Sequence, residues 1–129
     1  MNDKKRSIIV IADDDHDICE LTKMQLSRHG FQVFVADNGE TALELIGVHR
    51  PAVALLDIMM PRLSGLEVAR KIRSDPAISQ TGIVLFSARS VSKVEADLDG
   101  LDIDDYIPKP FSPQDLVQRV NDVISRRKP

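Results

Sequence analysis

Cysteine is almost missing: Cys19 is the only one in 129 residues, so no internal disulfide can staple the fold and stability must come from a buried core. Cys19 sits beside Ile18 and Leu21, a setting that suits helix packing better than thiol chemistry. No apolar run approaches the roughly 20 residues needed to cross a bilayer, which argues against a membrane span. The basic opening MNDKKR is followed by an apolar stretch that stops at Asp13, Asp14 and Asp15, so a signal peptide is not expected and the cytoplasm is the expected location. Positive charge is not in excess either. A net charge of −3 offers no footprint for direct nucleic-acid binding. Arg126, Arg127 and Lys128 read as a solvated helix end or the start of a linker, residues 126–129, behind a single unit over residues 1–125. Internal repeats, low-complexity segments and signs of a second domain are absent as well.

What is present is alternation. Apolar runs of strand length alternate five times with helical patterns, the signature of a parallel sheet covered on both faces. SIIVIA (7–12) is followed by a helix with Ile18, Leu21 and Leu26 on one face, closed by Gly30. FQVFVA precedes a helix capped by Asp37 or Asn38 and facing inward with Ala42, Leu45 and Ile46. AVALLDI leads to the capping-box pair Ser64 and Glu67, ahead of the stripe Val68, Ala69 and Ile72. IVLFSA precedes Val91, Val94 and Leu98 at helical spacing, and DIDDYI precedes a helix that opens at Ser112, Pro113 and Asp115 and buries Leu116, Val120 and Val123. The expected architecture is α/β: a doubly wound five-stranded parallel sheet with five helices.

In such a sheet the ligand site lies beyond the carboxyl ends of the strands. Here those ends carry Asp13–Asp14–Asp15, Asp57, Ser87 and Lys109. Close carboxylates repel one another unless a cation sits among them. A hard divalent ion such as Mg2+, which takes oxygen ligands and keeps several waters, is the natural partner and would also neutralise a phosphoryl group. Read singly, each residue has a plainer role: Asp57 as a turn cap, Asp15 or His16 as a helix cap, Ser87 as a loop hydroxyl, Lys109 as solvated surface and Tyr106 as a half-buried strand residue. His16, His29 and His49 lack metal-ligand spacing and read as surface residues.

Together, IADDD, LLDIMMPRLSG, LFSA and DYIPKPF, in this order and spacing, resemble the receiver domain of two-component response regulators across essentially the whole chain. The resemblance implies a flavodoxin-like (βα)5 fold and makes Asp57 the phosphoacceptor, taking its phosphoryl group from a phosphohistidine on a histidine kinase or phosphotransfer protein. It implies that Asp14, Asp57 and the Met59 backbone carbonyl ligate Mg2+, with Mn2+ as a substitute, while Asp13 acts through a metal-bound water. Lys109 would pair with the acid and then with the phosphate, and Ser87 would donate its hydroxyl to a phosphate oxygen. Tyr106 would then change rotamer, altering the surface of the fourth helix, fifth strand and fifth helix. The domain would be a phosphoacceptor rather than an enzyme, modifying itself from small phosphodonors and losing the group slowly. Its output would be a downstream protein or an appended domain, with a phosphorylation-linked homodimer as one form.

Pro61 and Gly65 would shape the turn after Asp57, and the Lys109–Pro110 bond is cis in the family. Three positions depart from or tune the pattern. Asp102 stands near the place of a family glycine, with Gly100 two residues earlier, and aspartate tolerates left-handed backbone better than most residues. Met59 and Arg89 lie where bulk would slow water's access to an acyl phosphate. Two other classes share parts of this residue set or topology. A haloacid-dehalogenase-like phosphatase also uses an aspartate nucleophile, but it needs a second acid two residues on, where Met59 stands. A flavin-binding electron carrier needs a phosphate loop where DDDHDI would repel one.

Overall fold

The structure, a computed structural model, describes residues 7–87, 98 and 100–127. Chain order is β1 (Ile8–Ala12), α1 (His16–Arg28), β2 (Gln32–Ala36), α2 (Gly39–His49), β3 (Val53–Asp57), α3 (Gly65–Ser74), β4 (Gly82–Ser87), β5 (Asp105–Pro108) and α4 (Pro113–Arg127). The strands form one parallel sheet in the order β2-β1-β3-β4-β5. The described residues thus carry five strands and four helices. The helix expected over Val91 and Val94 lies outside the described residues, as does Arg89; Leu98 alone is described there, as helical.

Strand alternation divides the core in two. Val10, Ala12, Ala54, Leu56, Ile83 and Leu85 pack toward α2 and α3 with Ile46, Val68, Ala69 and Ile72. Ile9, Ile11, Val53, Leu55, Val84 and Phe86 pack toward α1 and α4 with Leu26, Leu116, Val120 and Val123. Full burial of each such side chain is worth about 1.5–3 kcal/mol, so the central strands carry stability enough to tolerate unfavourable charge at their tips.

Local signals set the helix starts. Asp15 accepts from the Asp17 and Ile18 N–H groups, Asn38 accepts from Thr41, and Ser64 and Glu67 complete a capping box. The structure also corrects several expectations. On α1 the buried stripe is Cys19, Thr22 and Leu26, while Leu21 is 55% exposed; the inward face is turned by one residue. Cys19 is packed, its thiol donating to the Asp13 carbonyl at 3.3 Å, and burial followed by the nearby Asp13 charge pushes it up to about 12. His49 is not a simple surface residue: its ring stacks on Phe34 with centroids 3.8 Å apart. Position 102 is not left-handed; Gly100 takes that conformation, with φ 79. Finally, α4 runs through Arg127, so Arg126 and Arg127 form a helix end, but Arg127 is bound rather than solvated: Asp104, just before β5, lies 2.9 Å from its Nε.

Candidate functional site

Register brings the strand tips together. Ala12 pairs with Leu56 and Ser87 with Pro108, so the residues that follow, Asp13 and Lys109, emerge beside Asp57 and Ser87 respectively. Beyond β3 the chain turns sharply. The Met59 N–H donates to Asp57 Oδ1 at 3.0 Å, the Ile58 N–H donates to the Phe86 carbonyl at 3.0 Å, and the Gly65 N–H donates to the Ile58 carbonyl at 3.1 Å. Gly65 is required by close approach: a Cβ there would overlap the Asp57 backbone carbonyl. The left-handed residue of this turn is Arg62, φ 70, and not Gly65.

Lys109 closes the site. Its Nζ lies 2.9 Å from Asp13 Oδ2 and 3.0 Å from Asp57 Oδ2, and 5.2 Å above the centroid of the Phe86 ring. Phe111 packs edge-to-face with Phe86, ring centroids 5.6 Å apart. The Lys109–Pro110 peptide is cis. Asp13 is fully buried and Asp57, although at a strand tip, is only 4% exposed and covered by its partners. Burial pushes the Asp57 carboxyl up to about 6 despite the bonds from Lys109 and Met59, and the neighbouring Asp13 adds to the rise. Burial alone would lower Lys109, but the bonds to Asp13 and Asp57 raise it above the usual lysine value.

Asp14 is exposed and sits with Asp13 and Asp57 in a group whose ligand oxygens lie within 4.8 Å of one another. Three hard oxygens against one ammonium leave excess negative charge, a donor set that fits Mg2+ or Mn2+ and offers nothing to a soft metal. Asp13 also accepts the Asp15 N–H at 3.0 Å, so its orientation is held from two sides. Ser87 is buried at the end of β4, and the Lys109 N–H donates to its carbonyl at 2.8 Å. Tyr106 lies half-buried on β5 against the core cluster that holds Leu85. His16 and His29 are exposed and stand outside the acidic group. Sequence reasoning missed Phe86, whose ring faces the Lys109 ammonium, and Phe111, which packs on Phe86; the aromatic in each of LFSA and KPF was the available signal.

A family model described as the response regulator receiver domain matches residues 9–121. The chain is 42% identical over 122 residues to the response regulator MprA of Mycobacterium leprae (strain TN), covering 94% of this chain and 52% of that protein. It therefore spans about half the length of the curated relatives it matches. Among solved structures, the Francisella response regulator 1452 receiver domain is 31% identical with TM-score 0.85, covering 95% of this chain and 100% of that one. The receiver domain of sensor histidine kinase PA1611 from Pseudomonas aeruginosa PAO1, described with a magnesium ion coordinated in its active site cleft, shares the fold at TM-score 0.84 and 21% identity, covering 93% and 98%. With an acid pair after β1, an aspartate at the tip of β3 and a lysine after β5 meeting in one cluster, the chain belongs to the response regulator receiver domain family of two-component signalling.

Proposed function

We propose that Asp57 is the residue of this receiver domain that accepts the phosphoryl group, and that a histidine kinase or phosphotransfer protein supplies it from a phosphohistidine. The observation that carries this reading is the shared ammonium: Lys109 Nζ is 3.0 Å from Asp57 and 2.9 Å from Asp13, with Asp14 beside them. An Asp57 carboxylate oxygen attacks phosphorus, the phosphorus–nitrogen bond breaks, and the imidazole nitrogen leaves with the electron pair and takes up a proton. Lys109 is placed to move from the acid to the incoming phosphoryl oxygens, and catalysis of this kind rests on positioning and charge rather than on covalent help. Ser87 would donate to a second phosphoryl oxygen. Asp14, Asp57 and the Met59 carbonyl would hold Mg2+, or Mn2+, with Asp13 acting through a bound water; when present, the ion neutralises charge that develops on the phosphoryl group.

The rest of the reading follows from the same site. Receiver domains are signalling phosphoacceptors, so self-phosphorylation from small donors and slow loss of the group are the only turnover expected. A mainly apolar cleft of about 390 Å³, lined by Ile18, Leu21, Lys109, Pro110, Phe111 and Pro113, opens beside the lysine and would receive the donor protein. Tyr106 on β5 would relay the change to the surface that α4 shares with β5, toward a downstream protein, an appended domain or a second copy. Among the described residues no helix is long and apolar enough to cross a membrane; the cytoplasmic setting is proposed from the family match. Met59, in place of a second acid, and the family match both stand against the phosphatase alternative.

Incubation with acetyl phosphate, with and without Mg2+, followed by intact mass tests the assignment. One added phosphoryl group is expected, dependent on the ion and absent in Asp57→Asn. Full addition in that variant would move the acceptor elsewhere.

A further inference from the structure

The turn after the acceptor is pinned at both ends, by the Ile58 N–H on the Phe86 carbonyl at 3.0 Å and by the Gly65 N–H on the Ile58 carbonyl at 3.1 Å. Its middle is held by a residue from another element. Gly39, the first residue of α2, is buried, and its N–H points to the Pro61 carbonyl at 3.5 Å. A Cβ built on Gly39 would overlap the Leu63 carbonyl oxygen and come 2.5 Å from the Leu63 Cβ and 2.7 Å from its carbonyl carbon. The Leu63 backbone has little room to give, since its N–H is already committed to the Pro61 carbonyl at 2.8 Å and Arg62 between them holds φ 70. The α2 side is equally firm: Asn38 is 8% exposed, accepts from the Thr41 N–H at 2.9 Å and donates to Asp37 at 2.8 Å. The Arg62–Glu40 pair at 3.5 Å is mostly solvent-exposed and contributes little, so the backbone contact does the fixing.

Helix propensity does not account for this glycine, because alanine is favoured over glycine in a helix. Gly47, on the same helix, has nothing within 4 Å of a built Cβ. With Ile58 and Gly65 anchored, any push on Leu63 must be taken up by Met59 through Arg62, the stretch next to the acids.

We propose that Gly39 is a positioning residue for the metal site: by letting α2 start in contact with Leu63, it holds the turn so that the Met59 backbone is presented to a divalent ion at Asp13, Asp14 and Asp57. This rests on the reading of those acids as a metal site. Groups that orient metal ligands without touching the ion commonly matter about 10–100-fold in affinity.

The test compares Gly39→Ala with Gly47→Ala by Mg2+ titration calorimetry and by urea unfolding in metal-free buffer. Gly39→Ala is expected to weaken Mg2+ binding about tenfold or more while remaining folded, and Gly47→Ala to bind as the unchanged protein does. Wild-type affinity in folded Gly39→Ala, or an equal loss in both variants, overturns the proposal; a purely structural role would lower only the urea midpoint. Asp14→Asn serves as the separate check, since undiminished Mg2+ binding there would sink the metal-site reading itself. Should Gly39→Ala fail to fold, amide spectra of the unchanged protein decide: Mg2+ must shift the Gly39 and Leu63 resonances and leave Gly47 in place, and an unmoved Gly39 overturns the proposal.

Discussion

Lys109 and Asp13, 96 positions apart in sequence, meet at 2.9 Å, and the same ammonium reaches Asp57 at 3.0 Å. One positive charge therefore serves two buried acids, with Asp14 alongside. The arrangement is underneutralised, which prepares it for a cation and makes Lys109 important to the resting fold.

Lys109→Met removes that charge and leaves Asp13 and Asp57 buried together. Breaking a buried pair in this way costs roughly 3–5 kcal/mol, eased here because Asp57 can bind a proton, so a loss of about 3 kcal/mol is expected in metal-free urea unfolding at pH 7. Added Mg2+ should restore more stability to Lys109→Met than to the unchanged protein. Lys109→Arg should not rescue phosphoryl uptake, since a planar fork cannot replace a compact ammonium between two oxygens. A loss below about 1 kcal/mol in Lys109→Met would show that the shared pair is not important to the fold.

The Asp57 carboxyl gives a pH signature of definite sign. Burial raises it from 3.8 to about 6, so the folded state holds this proton more tightly than the unfolded chain does. Its contribution is favourable below pH about 4 and is lost as pH rises through about 6; a shift of this size is worth about 3 kcal/mol. Asp57→Asn mimics the protonated acid. Metal-free Asp57→Asn should therefore be more stable than the unchanged protein at pH 7.5, by about 2 kcal/mol after the bond to Lys109 is weakened, and the advantage should vanish near pH 4. Thermal unfolding across that range checks it, and a gain that grows toward acid would contradict the assignment.

How far the sequence reached follows from what each feature depends on. The strands were legible because a buried parallel strand needs a continuous apolar run, and VALLD or GIVLF reads as one without knowledge of its neighbours. Asp57, Asp14 and Lys109 were legible because polar residues interrupt those runs at the tips. Phase and partnership were not. The spacing of Leu21 fits an inward stripe, yet Cys19 and Thr22 fit as well, and only the docking of α1 on the sheet decides between them. The sharing of Lys109 with Asp13 depends on the register of β1, β3 and β5, which no local pattern records. The same is true of Arg73, whose partners lie as far as 31 positions away.

Arg73 supports the opposite end of the sheet. Its guanidinium donates to the Ser79, Thr81 and Asp102 carbonyls at 2.8, 2.6 and 2.8 Å and to Asp104 at 3.3 Å. Asp104 also accepts from the Ile83 N–H at 2.8 Å and from Arg127 at 2.9 Å, tying the starts of β4 and β5 to the end of α4. Arg73→Ala would strip the carbonyls of donors while leaving Arg127 on Asp104. A loss of about 3 kcal/mol in urea unfolding is expected, with Arg73→Lys recovering less than half, because one ammonium cannot span four acceptors. Mg2+ affinity should stay unchanged, since none of these groups touches the acidic cluster. A change in affinity without a change in stability would refute the division.

The switch expected at Tyr106 can be read without a label. The chain has one tyrosine and no tryptophan, so its intrinsic emission comes from Tyr106 alone. That ring lies half-buried on β5 against the core cluster that includes Ile83 and Leu85, and its neighbour in register is Leu85, two residues before Ser87. A phosphoryl group adds up to about two negative charges at the strand tips, enough to bias two arrangements around Ser87 that differ by a few kcal/mol. If Ser87 is drawn to the phosphate, the space beside β5 changes and the ring moves with it. Acetyl phosphate with Mg2+ should therefore change tyrosine emission along the same time course as the mass shift. Asp57→Asn should be silent, and Ser87→Ala should take up the group while showing a smaller change in emission. Complete phosphorylation of the unchanged protein with constant emission would rule out Tyr106 as the relay.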